Sequence, residues 1–259
     1  MKRTLDRRTC AWLIIPALAG LFTLAAASDA HKAPEPAAKP ALATATMAAP
    51  ASPATPPAGH ARGESPESPA AVWADLLEGN RRFAAGSPMP RPLVRTRQDL
   101  AMGQHPKVMV LGCADSRVPP ELVFDKNLGD LFVVRTAGNI ADPVALGSLE
   151  YAAEHLHASV LVVLGHRKCG AVKAAASGEP MPSENLNAIV QKISPVIDRL
   201  QACFRGDQLA SEAVVANVHQ SAEDVLANSE ILRNEVEKGR LTVFKAVYDL
   251  DTGQVEPLD

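Results

Sequence analysis

The sequence predicts an α/β domain with a mainly parallel central sheet flanked by helices. Short runs rich in branched aliphatic residues recur at 107–111, 131–135 and 159–164. They are apolar on both faces, as strands in the middle of a parallel sheet are. Stretches with helical spacing of apolar residues separate them, and strands alternating with helices build a parallel sheet through crossovers.

The elements follow in order. Val72, Leu76 and Leu77 suit one face of a helix over about 70–85, stopped by Gly86-Ser87-Pro88. A further turn or two of helix is expected over 97–102, then the first strand and a short helix around 120–124. The second strand leads into Thr136-Ala137-Gly138-Asn139, and Pro143 opens a helix to about 156, where its missing N–H is not needed. After the third strand a helix begins near Gly170. Longer helices are expected over 184–201, disturbed at Pro195, and over 211–236, closed by Gly239. Residues 241–249 alternate as a strand, and Asp251-Thr252-Gly253 turns the chain into a terminal hairpin.

The 259 residues divide unevenly. Residues 1–30 carry Lys2, Arg3, Arg7 and Arg8, an apolar stretch from 11 to 27, and then Ser28-Asp29-Ala30. This is the pattern of an export signal, interrupted by Pro16 and Gly20 and short for a membrane span. A bacterial periplasmic location is expected, with a membrane tether only if the signal is uncleaved. Arg7-Arg8 is compatible with a twin-arginine route, although Thr9-Cys10-Ala11 match that pattern poorly. Residues 31–69 are rich in Ala and Pro, without Val, Ile or an aromatic residue, and read as a disordered linker. The folded domain is expected over 70–259.

Without residues 1–30 the chain loses four basic and two acidic side chains, taking the formal charge from −3 to −5. With no basic cluster and only two Trp and two Tyr for stacking, nucleic acid is excluded as a partner. Of four cysteines, Cys10 belongs to the signal, and Cys203 in a helical stretch reads as a small buried hydrophobe.

Cys113 and Cys169 have a different setting. Cys113-Ala114-Asp115-Ser116-Arg117 and His166-Arg167-Lys168-Cys169-Gly170 each follow an apolar strand, and such strand ends converge at one edge of a parallel sheet. Each residue alone has an ordinary explanation: Asp115 as a helix cap, His166 as a core histidine, Cys113 as a small residue at a strand end. Together they offer two thiolates, an imidazole and a carboxylate, a donor set for Zn2+. His166 and Cys169, three apart, are expected to grip the ion from the start of a helix. Arg117 changes what the fourth donor does. A bidentate pair with Arg117 draws Asp115 off the metal and opens a position for water. Zinc lowers the pKa of that water towards about 7, giving a hydroxide nucleophile.

With these residues the chain resembles the β-class carbonic anhydrases, across roughly 70–258. Cys113-x-Asp115-x-Arg117 with His166-x-x-Cys169 carries the likeness, and Gly112, Val118-Pro119, Phe132-Val133-Val134-Arg135, Gly138-Asn139 and Gly170 fit it. The resemblance implies a β-carbonic anhydrase-like fold and the reversible hydration of CO2 to bicarbonate and a proton by zinc-bound hydroxide. It implies Cys113, His166 and Cys169 as zinc ligands, and an Asp115–Arg117 dyad orienting the nucleophile, with Asp115 as fourth ligand in a closed state. It further implies that Gln104, nine residues before Cys113, donates a hydrogen bond to bicarbonate, often across a dimer interface, in a homodimer or homotetramer. Relatives acting on carbon disulfide share these ligands. Some members close the site at low pH through a bicarbonate pocket containing a tryptophan; here Val110 takes that place, although Arg135 stands where the pocket's arginine would be. An open site is therefore expected at neutral pH.

Overall fold

Four strands pair in parallel: β1 (Val108–Cys113), β2 (Leu131–Thr136), β3 (Val160–His166) and β4 (Thr242–Tyr248), in the order β2-β1-β3-β4. A short antiparallel strand, β5 (Val255–Leu258), closes the β4 edge. This computed structural model describes residues 68–259. The expected signal over 1–30 and the linker up to residue 67 lie outside the described residues. Helix α1 (Pro69–Ala84) starts at a Ser68 cap, whose hydroxyl accepts from the Ala71 amide at 3.2 Å.

Every residue of β1 and β3 is buried, because both faces of the sheet are covered. Val108, Val110, Val160, Val162 and Leu164 face one core with Val72 and Leu76 of α1 and Val123 of α3 (Pro120–Val123). Met109, Leu111, Leu161 and Val163 face the other. That second core is closed by α4 (Pro143–His155), α5 (Gly170–Ser177), α6 (Glu184–Leu200), α7 (Gly206–Asn228) and α8 (Glu230–Glu237).

Several boundaries differ from the sequence expectation. Helix α2 spans Leu93–Asp99 rather than 97–102, because Pro92 stands at its start, where a ring fits the helix entry. The helix expected over 211–236 is two helices. Ser229 between them is extended, its hydroxyl accepting from the Leu232 amide at 3.1 Å and donating to Glu150 at 2.6 Å, so a local cap competes with helix continuation. Conversely, α6 runs through Pro195 as one element. Cys203 falls in the turn after α6, half-buried, and not inside a helix as expected.

β1 and β3 each run two residues past the expected ends, because pairing continues to Cys113 opposite Thr136 and His166 opposite Tyr248. Both residues therefore end strands instead of lying on loops. Gly165 lets α7 settle against β3: a Cβ there would come 2.4 Å from Val218.

Candidate metal centre

Cys113 and His166 are brought to the C-terminal edge of the sheet by adjacent strands, β1 and β3. Cys169 reaches the same point as the N-cap of α5. Between them Lys168 takes a left-handed backbone (φ 59°), which turns the chain back towards the sheet. His166 and Cys169 thus converge from a strand end and a helix cap, correcting the expectation that both lie on one helix face. Arg167 and Lys168 anchor this loop to the β4–β5 hairpin through Glu256 at 2.9 Å and Asp251 at 2.6 Å.

The donor atoms of Cys113, His166 and Cys169 all lie within 4.8 Å of one another, and all three residues are buried. The two sulfurs are 4.0 Å apart. Two thiolates on one tetrahedral zinc, with bonds of about 2.3 Å, stand about 3.8 Å apart, so the spacing suits such an ion. His166 Nδ1 lies 2.9 Å from the Arg167 carbonyl, which can only accept, so Nδ1 carries the proton. That leaves Nε2 as the metal-binding nitrogen. It is buried and has no hydrogen-bond partner, the orphaned atom a metal cation would satisfy.

Charge in the cluster follows from these neighbours. The Cys113 thiol is pushed below its ordinary value by its hydrogen bond with Cys169; burial opposes the shift, and His166 and the Asp115 and Gly138 amides reinforce it. Cys169 is pushed up by the same hydrogen bond and by burial. For His166 burial disfavours the charged ring, but the Cys113 thiolate outweighs it and the net shift is upward.

Asp115 stands beside the cluster, its Oδ2 3.8 Å from His166 Nε2. Arg117 holds it from three sides: Nε to Oδ1 at 2.9 Å, Nη2 to Oδ2 at 2.7 Å and the backbone amide to Oδ1 at 3.0 Å. The guanidinium keeps the carboxyl well below the usual carboxylate range. Asp115 does not cap α3, whose N-cap is Pro119.

A carbonic anhydrase family model matches residues 108–255. The chain is 39% identical over 193 residues to carbonic anhydrase 2 of Mycobacterium tuberculosis, covering 72% of this chain and 91% of that one. It is 38% identical over 196 residues to the carbonic anhydrase of Mycolicibacterium smegmatis, covering 73% and 93%. Its fold is similar to that of the Coccomyxa β-carbonic anhydrase solved with acetazolamide, with TM-score 0.59, 32% identity and coverage of 71% and 84%. The chain belongs to the β-carbonic anhydrase family. Tetrameric β-carbonic anhydrases of Sordaria macrospora share the fold at TM-score 0.57 and 24% identity, covering 72% of this chain and 96% of theirs.

Within this β-carbonic anhydrase framework Gln104 lies apart from the cluster. It is exposed four residues ahead of β1, whose first residue, Val108, stands at the other end of the strand from Cys113, roughly 17 Å along it. Val110 is buried in the sheet, and Arg135 is committed to backbone, donating to the Cys113 carbonyl at 2.8 Å and to the Asp115 carbonyl. Two contacts escaped the sequence reading. The Gly138 amide donates to Cys113 Sγ at 3.3 Å, and Asn217 of α7 donates to the Gly138 carbonyl at 2.8 Å. The available signal was a polar residue inside the apolar stripe of a helix, and it does not say which turn the residue meets.

Proposed function

We propose that this chain catalyses the reversible hydration of CO2 to bicarbonate and a proton, with Zn2+ held by Cys113, His166 and Cys169. One observation carries the reading: His166 Nε2 is buried without a partner beside two cysteine sulfurs, while Arg117 holds Asp115. Zinc bound there supplies a Lewis acid that brings the pKa of water to about 7.

The chain's own groups do the rest. Asp115, kept unprotonated by Arg117, can accept a hydrogen bond but not donate one. It takes the proton side of the nucleophile and turns the lone pair towards CO2. Arg117, by holding Asp115, would keep it from becoming a fourth ligand, which supports an open site. Gln104, by its resemblance to the family pattern, binds bicarbonate from a second chain, in a homodimer or homotetramer. Residues 1–30 serve as an export signal and deliver the enzyme, on its 31–69 linker, to the periplasm.

Stopped-flow CO2 hydration tests the reading. Activity is expected to vanish on chelation and return with Zn2+, with no turnover of carbon disulfide in parallel assays. Full activity in metal-free protein would overturn it.

A further inference from the structure

We infer that Asn217 is a positioning residue for the Cys113 sulfur, acting through the Gly138 turn. This rests on the reading of Cys113, His166 and Cys169 as the metal site.

Asn217 is only 2% exposed and shares a buried stripe of α7 with Ala213, Val214, Val218 and Ala222. An amide in such a place costs stability unless it is paired, and an aliphatic side chain would pack there without that cost. The side-chain amide donates to the Gly138 carbonyl, 79 positions away, at 2.8 Å. One helical turn later Ser221, equally buried, accepts from Asn139 at 3.2 Å. The helix therefore grips two successive residues of one turn.

Those two residues need support. Gly138 (φ 74°) and Asn139 (φ 47°) are both left-handed, and a side chain at Gly138 would meet Ile193 at 2.8 Å and Ala171 at 3.1 Å. Fixing the Gly138 carbonyl sets the rotation about its Cα–C bond, and the packed, left-handed turn then aims the Gly138 N–H at Cys113 Sγ, 3.3 Å away. A donor on sulfur draws electron density from the thiolate, so less reaches a bound metal, which stays a stronger Lewis acid. Partners outside the ligand set tune metal sites in this way. The position of α7 is itself fixed, since Gly165 admits Val218 against β3.

Cobalt(II) loading of the whole chain reads the sulfur directly. Asn217→Leu and Asn217→Asp are expected to move the sulfur-to-cobalt charge-transfer band to longer wavelength. They are also expected to raise the pH at which kcat develops and to lower kcat about tenfold, with KM little changed. Ser221→Ala, which loosens only Asn139, is expected to move the band in the same direction by less, and serves if the Asn217 variants fail to fold. A band and pH profile unchanged in every folded variant, with only Tm lowered, would overturn the inference. If the unaltered protein shows no sulfur-to-cobalt band, the metal reading fails and the inference with it.

Discussion

Asp115 has two partners within reach, and the Arg117 fork determines which one it takes. Removing that fork releases the carboxylate beside His166 Nε2, 3.8 Å away. Arg117→Ala is therefore expected to abolish CO2 hydration while metal stays bound, with the Asp115 carboxylate replacing water as the fourth ligand in a crystal structure of the zinc-loaded variant. Asp115→Asn keeps the shape but adds a donor where the chemistry needs an acceptor. It is expected to lower kcat about 100-fold at unchanged metal content, measured by stopped flow and elemental analysis. Metal affinity is expected to fall with falling pH, since the thiols and His166 must give up protons to bind; chelator competition at several pH values measures it. Much of this was legible in the sequence, because Cys113-x-Asp115-x-Arg117 sets a spacing that short side chains span by themselves. What the sequence could not show is the free nitrogen of His166, which depends on the carbonyl that Nδ1 meets.

Among the elements, α1 is tied to the turn after α3 by a buried charge. Asp125 has a fully buried carboxylate bonded by Arg82 at 2.7 Å, Arg91 at 2.9 Å and the Met89 amide. Burial works against that charge, but Arg82, the Met89 amide and Arg91 outweigh it and hold its pKa below the ordinary value. A depressed carboxylate gives stability that is complete above the unfolded-state pKa, near about 4, and is lost as pH falls through the folded-state value. Asp125→Asn is expected to lose about 3 kcal/mol in urea unfolding at neutral pH. Its stability should approach that of the unaltered protein as both are acidified. Gly165→Ala places a methyl against Val218 and is expected to cost about 2 kcal/mol by the same measurement, with reduced activity because α7 carries Asn217. β1 and β3 were legible here as doubly buried apolar runs. Their last residues were not, because Cys113 and His166 join the ladder through the partners they find in β2 and β4.

For the whole molecule, Gln104 precedes β1 while Cys113 ends it, roughly 17 Å of strand further on, so the site is incomplete in one chain if Gln104 binds bicarbonate. Mixing Gln104→Ala with Cys113→Ser subunits is then expected to restore roughly a quarter of full activity, since half of random dimers are mixed and each has one intact site. No recovery after subunit exchange would place Gln104 outside the reaction. The sequence by itself pointed to the fold class, the metal-capable donors Cys113, His166 and Cys169 and the Asp115–Arg117 pair, because each rests on local spacing or on apolar runs that leave few ways to be buried. The tertiary structure decided how those groups are held. It brought α7 over Gly165, put Asn217 on the Gly138 turn, committed Arg135 to the Cys113 and Asp115 carbonyls and left His166 Nε2 without a partner. Such contacts join residues as far apart as 79 positions, and no local pattern records them, because they are fixed only when helix and sheet close on a common core.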